Sequence, residues 1–351
     1  MSAIATKFRA LLMAGLLGSA TLAVANGAVV PPIPHEGRLQ TVGMPDDWAN
    51  WRQTWQDLAR LHGLQHVDTD MSSAEQIAKI EAERTQATVD LGDVGFEFGA
   101  IAKARGITAP FKPGTWQQIP EWAKDPEGHW VLAYTGTIAF AVNTRKVGAV
   151  PRSWAELFKG RYRIMIGEVG RASQANAAVL AAAVALGGDE QKLQPALAAF
   201  ATVAQRKDLL LVNPSPALME RAEADVFLLW DFNALSFRAK LPNKADYEVL
   251  IPADGSITSG YTTLINRHAP HPQAARLARE FILSDAGQLN LARGHARPIR
   301  IDALKLPAEL QGLLLDGRQY LKARAVRPAL WTEEVKKLGR SWQREVMGSP
   351  R

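Results

Sequence analysis

The chain has 351 residues, with 41 Lys plus Arg against 35 Asp plus Glu, a formal charge of +6 and no cysteine. Without cysteine there is no disulfide framework and no thiol nucleophile, so the core must come from burial alone, which a chain of this length permits for two ordinary domains. The basic residues are scattered rather than gathered on one face, which excludes a nucleic-acid footprint and leaves a mildly basic surface.

Lys7 and Arg9 precede an apolar run from Ala10 to Leu22, and Ala23-Val24-Ala25 fits the small-x-small rule for signal cleavage. About 13 apolar residues are too few to span a bilayer, which takes roughly 20. Residues 1–25 are therefore expected to be a secretion signal cleaved near Ala25, placing the mature protein in the periplasm. No Cys follows the run to carry a lipid anchor. Removing Lys7 and Arg9 leaves 39 basic minus 35 acidic residues, or +4.

The next segment alternates strand and helix patterns. Arg38 to Val42 reads as a strand, and Trp48 to His62 as a helix with Trp48, Trp51, Trp55 and Leu58 on one face. Leu64 to Asp68 is a second strand. Ser72-Ser73-Ala74-Glu75 is a capping box opening a helix to about Arg84. Val89 to Val94 and Phe96 to Ala104 continue the rhythm, which predicts a mixed or parallel sheet flanked by helices. Trp130 to Asn143 is a long apolar strand. Ser153 and Glu156 form another capping-box pattern, Arg161 to Ile166 a strand, Gly167 to Ser173 a loop and Gln174 to Leu186 an Ala-rich helix. Gln194 to Arg206 (helix), Leu209 to Val212 (strand), Ala217 to Glu223 (helix) and Ala224 to Trp230 (strand) follow. Pro307 to Met347 reads as helices wrapping the first half of the fold.

Three further patterns carry a resemblance. Pro252/Asp254/Gly255/Ser256 gives a "PxDGS" turn, His271-Pro272-Gln273-Ala274-Ala275 an "HPxAA" helix start, and Leu283 to Gln288 an "LSxxGQ" turn; Val150 to Leu157 adds "PxSWxxL". In this order the chain resembles the type II periplasmic solute-binding proteins, the capture subunits of ABC importers, over roughly Arg38 to Arg300. The resemblance implies an α/β fold of two lobes, each a mixed sheet flanked by helices, joined by a hinge crossed twice, near Tyr134 to Phe140 and Ser256 to Leu264. Residues 26–135 and 264–351 would form lobe 1 and 136–263 lobe 2. It also implies a monomer that closes on a small solute and delivers it to an inner-membrane permease; neither a cofactor nor a metal site is expected from the residues present.

Ligands of open α/β sheets sit outside the carboxyl ends of the strands. That rule selects the loops Gly43 to Asn50, Thr69 to Ser73, Gly92 to Glu97, Thr135 to Thr137, Glu168 to Gln174, Asp231 to Asn233 and Ser259 to Thr262. The candidate ligand-binding residues are Asp47, Trp48, Ser72, Ser73, Asp93, Thr135, Thr137, Arg171, Ser173, Trp230, Asp231, Asn233, Ser259 and Tyr261. Each has a structural alternative: Ser73 or Ser72 as a cap, Ser173 as an N-cap, Asp231 as a cap of its own helix, Trp48 and Trp230 as core. Replacing Asp231 or Arg171 by Ala is expected to weaken binding with little loss of stability.

Acidic and aromatic loops outnumber basic ones. They point to a polyamine-like cation held by Asp47, Asp93 and Asp231 between Trp48, Trp230 and Tyr261, through charge and cation–π attraction. The alternative is a phosphonate or phosphorylated anion at Arg171 and the helix start at Ser173. Iron-binding relatives use an adjacent tyrosine pair; here Thr262 follows Tyr261, which argues against ferric coordination. A periplasmic sensor subunit would use the same closure. A secreted enzyme is the remaining class, but no GxSxG, HExxH or SxxK pattern is present.

Overall fold

A computed structural model describes residues 36–348; the predicted secretion signal lies outside the described residues. The first run of elements comprises β1 (Arg38–Val42), α1 (Trp51–His62), β2 (Gln65–Thr69), α2 (Ser73–Ala82), β3 (Leu91–Gly95), α3 (Phe96–Ala104), β4 (Thr108–Ala109) and β5 (Trp130–Asn143). The second comprises α4 (Trp154–Lys159), β6 (Ile164–Met165), α5 (Ser173–Ala185), α6 (Gln194–Gln205), β7 (Leu209–Leu210), α7 (Pro216–Glu220), β8 (Val226–Trp230), α8 (Asp231–Lys240) and β9 (Tyr247–Leu250). The chain returns through β10 (Ser256–Asn266), α9 (Pro272–Leu283), α10 (Asp285–Arg293), β11 (Arg297–Pro298), α11 (Ala308–Gln311), β12 (Ala323–Ala325) and α12 (Pro328–Glu345).

The strands run in the order β2-β1-β3-β10-β5-β8-β6-β7. β1, β2 and β3 are parallel, as are β6, β7 and β8, whereas β5 and β10 run antiparallel to each other and to β8 and β3, and β12 adds to β10 in parallel. The first part of β5 pairs with β10, from Trp130 to Thr137, and its last residues pair with β8 and β9, from Ile138 to Asn143. One strand therefore enters both halves of the sheet, and the chain comes back from β9 to β10. Nearly every residue of β5 is buried, which explains its largely apolar sequence without alternation: both faces are covered. α5 is buried on all sides along its Ala-rich length, since small side chains let it pack against β10, α6 and β8 together.

The motifs that carry the family resemblance prove to be staples. The Asp254 carboxylate accepts the amides of Trp154 and Ala155 at 3.0 and 3.1 Å, capping α4 from the PxDGS turn, and Trp154 Nε1 donates to Gly255 O at 3.1 Å. His271 donates its backbone amide to Asp90 at 2.7 Å where α9 begins. Ser284 caps α10 by accepting the Gly287 amide, while Gln288 Nε2 donates to Ala133 O of β5 and Ile282 O, both at 3.0 Å.

Several local expectations shift. α1 begins at Trp51 rather than Trp48, because Ala49 and Asn50 take left-handed backbone angles (φ 47° and 61°) that end the preceding turn. The Ser72–Glu75 capping box is complete. At Ser153 only half of one forms: Ser153 Oγ accepts the Glu156 amide, but the Glu156 carboxylate takes the Arg152 amide at 2.7 Å. Ser173 is the first helical residue of α5 and Ala172 the N-cap, so Ser173 does not cap the helix. The C-terminal region does not wrap one half alone: α12 packs on α3 and also on α6, with Trp342 against Phe200 at 5.3 Å.

Candidate ligand site

A cavity of about 430 Å³ opens beyond the carboxyl ends of β1 and β3. The turn after β1 contributes Gly43, Pro45 and Trp48, and the start of α2 contributes Ser72, Ser73 and Gln76. β3 and α3 supply Asp93, Glu97 and Phe98; the loop into α5 supplies Gly170, Arg171, Ser173 and Asn176. Tyr261 of β10 and two residues of α12, Val335 and Lys336, complete it. Gly43 must be glycine: its φ is +71°, and a Cβ there would lie 2.0 Å from Gln76 Nε2.

Asp93 and Glu97 form the acidic floor and are 1% and 4% exposed. Asp93 Oδ2 accepts the Tyr134 hydroxyl at 2.8 Å, and Tyr134 in turn accepts Trp48 Nε1 at 2.6 Å. Burial pushes the Asp93 carboxyl well above the ordinary carboxylate range; the Tyr134 hydroxyl and the nearby Trp51 indole oppose that, and the Asp68 charge adds to it. Among the described residues the other oxygen, Oδ1, has no hydrogen-bond partner, and neither has the buried Oε1 of Gln76. Gln76 is oriented by its amide nitrogen, which donates to Met71 O and Asp93 O at 3.0 and 2.9 Å. Burial likewise raises Glu97, whose Oε1 accepts Ser173 Oγ at 3.3 Å and so joins α3 to α5. Trp48 and Tyr261 meet edge to face at 5.4 Å and form the aromatic wall.

The cationic groups lie at the rim. Arg171 and Lys336 are exposed, and Lys336 pairs with Glu333 at 2.7 Å. Ser73 Oγ accepts the Gly95 amide at 2.9 Å, which leaves its proton to donate.

Of the residues expected from sequence, Trp48, Ser72, Ser73, Asp93, Arg171, Ser173 and Tyr261 come together around the cavity. The others do not line it. Asp47 is a surface carboxylate, 79% exposed, paired with Arg52 at 3.3 Å. Thr135 and Ser259 are buried in the β5–β10 and β5–β11 ladders. Thr137 donates its amide to Asp231 at 2.9 Å and its hydroxyl meets Thr258 at 2.8 Å. The Trp230 amide and Asn233 Nδ2 both donate to Gln174 Oε1, at 2.9 and 3.1 Å. Asp231 accepts Thr137 N, Phe232 N and, at 2.6 Å, Tyr320 Oη. Apart from Asp47, these residues lie in the sheet or in the first turn of α8, where they are buried away from the cavity. Glu97, Gln76 and Lys336 escaped sequence reading. Glu97 and Gln76 are polar residues in the first turns of helices, which resemble ordinary solvated positions until tertiary packing buries them.

Asp231 carries a pH prediction. Burial raises its carboxyl to about 6, against which Tyr320 and the two amides act. A folded-state value above the unfolded 3.8 means the native chain holds the extra proton, so this group's contribution to stability falls as pH rises through about 4 to 6. The full difference is up to about 3 kcal/mol. The stability of Asp231→Asn relative to the parent should therefore improve by that order between pH 4 and pH 7 in denaturant titrations; a constant offset across the range would contradict it. The carboxyl's three hydrogen bonds also mean that Asp231→Ala costs stability, contrary to the expectation of a purely ligand-directed effect.

Among the described residues, Asp125, Glu127 and His129 bring possible metal-ligating atoms within 4.8 Å of one another. Lys103 pairs with both carboxylates at 2.7 and 3.3 Å, so a cation already occupies the place a metal would take, and the cluster lies outside the cavity.

Residues 89–317 match the family model described as bacterial extracellular solute-binding protein. The chain belongs to that family. Its solved relatives are periplasmic binding proteins: the AfuA protein of Actinobacillus pleuropneumoniae, with fructose-6-phosphate bound, is 18% identical, covers 90% of this chain and 100% of its own, and superposes with a TM-score of 0.72. The periplasmic binding protein P5PA is 18% identical over 89% and 100% of the two chains, TM-score 0.71. The spermidine/putrescine substrate-binding protein PotD of Streptococcus pneumoniae, in complex with calcium and HEPES, is 14% identical over 88% and 99%, TM-score 0.66. No curated protein sequence matches the chain. This solute-binding protein thus has the type II fold of ABC-importer capture subunits, a family that binds solutes without transforming them. Among the described residues no helix is long and apolar enough to cross a membrane.

Proposed function

We propose that this protein captures a small amine-bearing polar solute, polyamine-like in its cationic group, and hands it to an inner-membrane permease. The cation would lie on Asp93 and Glu97 between Trp48 and Tyr261, with residues 26–135 and 264–351 as one lobe and 136–263 as the other, closing by a hinge motion. One observation carries this reading. Asp93 and Glu97 are two buried carboxyls on one cavity, and among the described residues Asp93 Oδ1 and Gln76 Oε1 have no hydrogen-bond partner. Buried acceptors without partners cost free energy that an N–H donor recovers, and an ammonium also offsets the desolvation of the carboxylates. The rim favours a second reading, a phosphorylated or phosphonate anion: the exposed Arg171 lines the cavity just ahead of the N-cap of α5.

A thermal-shift and calorimetric screen separates the two. Putrescine and spermidine are expected to raise the melting temperature by mass action, and fructose-6-phosphate and a simple phosphonate to leave it unmoved. The converse result would replace the amine reading with the anionic one.

A further inference from the structure

The C-terminal helix α12 lies outside residues 89–317, over which the chain matches its family, yet one of its faces runs along the cavity. Val335 and Lys336 line the cavity, Gly339 follows one turn on, and Trp342 and Gln343 one turn after that, at the spacing of a single helical face. Trp342 and Gln343 line a smaller cavity of about 220 Å³. Arg171 is common to both, so it stands in the wall between them.

The contact between this face and the Arg171 turn is backbone on backbone. A Cβ on Gly339 would lie 3.2 Å from Gly170 Cα, closer than an ordinary contact, and a Cβ on Gly170 would lie 2.6 Å from Gly339 Cα. Gly170 also has φ +90°, which a side chain rarely tolerates. Gly339 has no such backbone reason, and a glycine inside a helix costs about 1 kcal/mol relative to alanine. Its absence of a side chain is explained by what it lets approach. The start of α12 is meanwhile held by the fully buried Glu190, which accepts Arg327 N at 2.9 Å and pairs with Arg324 at 2.7 Å. Trp342, 1% exposed, anchors the far end on Phe200. The helix is fixed at both ends, so the turn must conform to it.

We propose that α12 is a third wall of the solute site, and that Gly339 is a positioning residue that seats the Gly170–Arg171 turn against the cavity. The inference rests on reading this cavity as the solute site. Because the chain has no cysteine, Ser173→Cys gives a single thiol at the cavity edge. Its alkylation by a small maleimide reports access without requiring the natural solute. In the full-length Ser173→Cys chain, Gly339→Ala is expected to keep or raise the melting temperature while alkylation accelerates severalfold. Lys336→Ala, which removes an exposed side chain from the same wall, is expected to accelerate it too. A purely structural role for α12 would move the melting temperature and not the thiol rate. Alkylation at the parental rate in both variants overturns the inference, even if putrescine binds. Accelerated alkylation with no protection of the thiol by putrescine sustains the wall and sinks the amine reading instead.

Discussion

Arg279→Ala is expected to lower the stability of this solute-binding protein by about 4 kcal/mol. Arg279 lies in α9 and is fully buried, with no carboxylate paired to it among the described residues. Its guanidinium donates instead to three backbone carbonyls: Phe111 O at 3.2 Å, Gly128 O at 3.0 Å and Thr263 O at 2.7 Å. Burial lowers its pKa to about 9, so it remains charged at neutral pH. Removal takes a charged donor from three carbonyls, leaves Phe111 O without its donor at about 1–3 kcal/mol and opens a cavity; Gly128 O keeps the Phe111 amide and Thr263 stays in the β10 ladders. Since a whole domain is stable by only about 5–15 kcal/mol, this is a large share. Arg279→Met keeps most of the volume and loses the same donors. Equal midpoints in urea for Met and parent would show that the carbonyl contacts contribute nothing.

Asp93→Asn should separate binding from stability. If an ammonium sits on the cavity floor, neutralising Asp93 costs about 2 kcal/mol, or ~30-fold in affinity for putrescine by calorimetry. Glu97→Gln should do the same. The folded chain alone should gain stability from Asp93→Asn, because the desolvation that raises this carboxyl no longer opposes folding, while Asn still accepts the Tyr134 hydroxyl. Both carboxyls titrate above their ordinary range, so amine affinity should weaken as the medium is acidified and they take up protons. Parental affinity in both variants would remove the acidic floor from the binding mechanism.

Much of the fold is legible along the chain because the motifs concerned are local. Ser72 and Glu75 lie three residues apart and close their own capping box. Phe96–Ala104 and Trp130–Asn143 form over the residues their apolar patterns predicted. The PxDGS, HPxAA and LSxxGQ patterns mark places where one turn holds another element, and such turns tolerate few residue types. The loops beyond β1, β2 and β3, and the loop into α5, could be chosen because side chains past a strand end point into open space.

The choice among side chains within those loops belongs to tertiary structure. Trp48 and Trp51 look alike on a helical wheel, but the left-handed turn at Ala49 and Asn50 turns Trp48 toward the cavity and leaves Trp51 in the core. Asp93 lies within β3 and Asp231 directly after β8; one lines the cavity, the other spends its oxygens on the amides and hydroxyl that hold β5, α8 and Tyr320 together. Glu97 becomes part of the floor only when α5 covers it, and α12 reaches the cavity from more than 70 residues beyond the last sequence-predicted site residue, Tyr261. Local pattern decides which backbone forms, since hydrogen bonding and side-chain period act over a few residues. Which polar atom is left buried and unmatched depends on every element packed around it, and that is decided only when the chain has closed on itself.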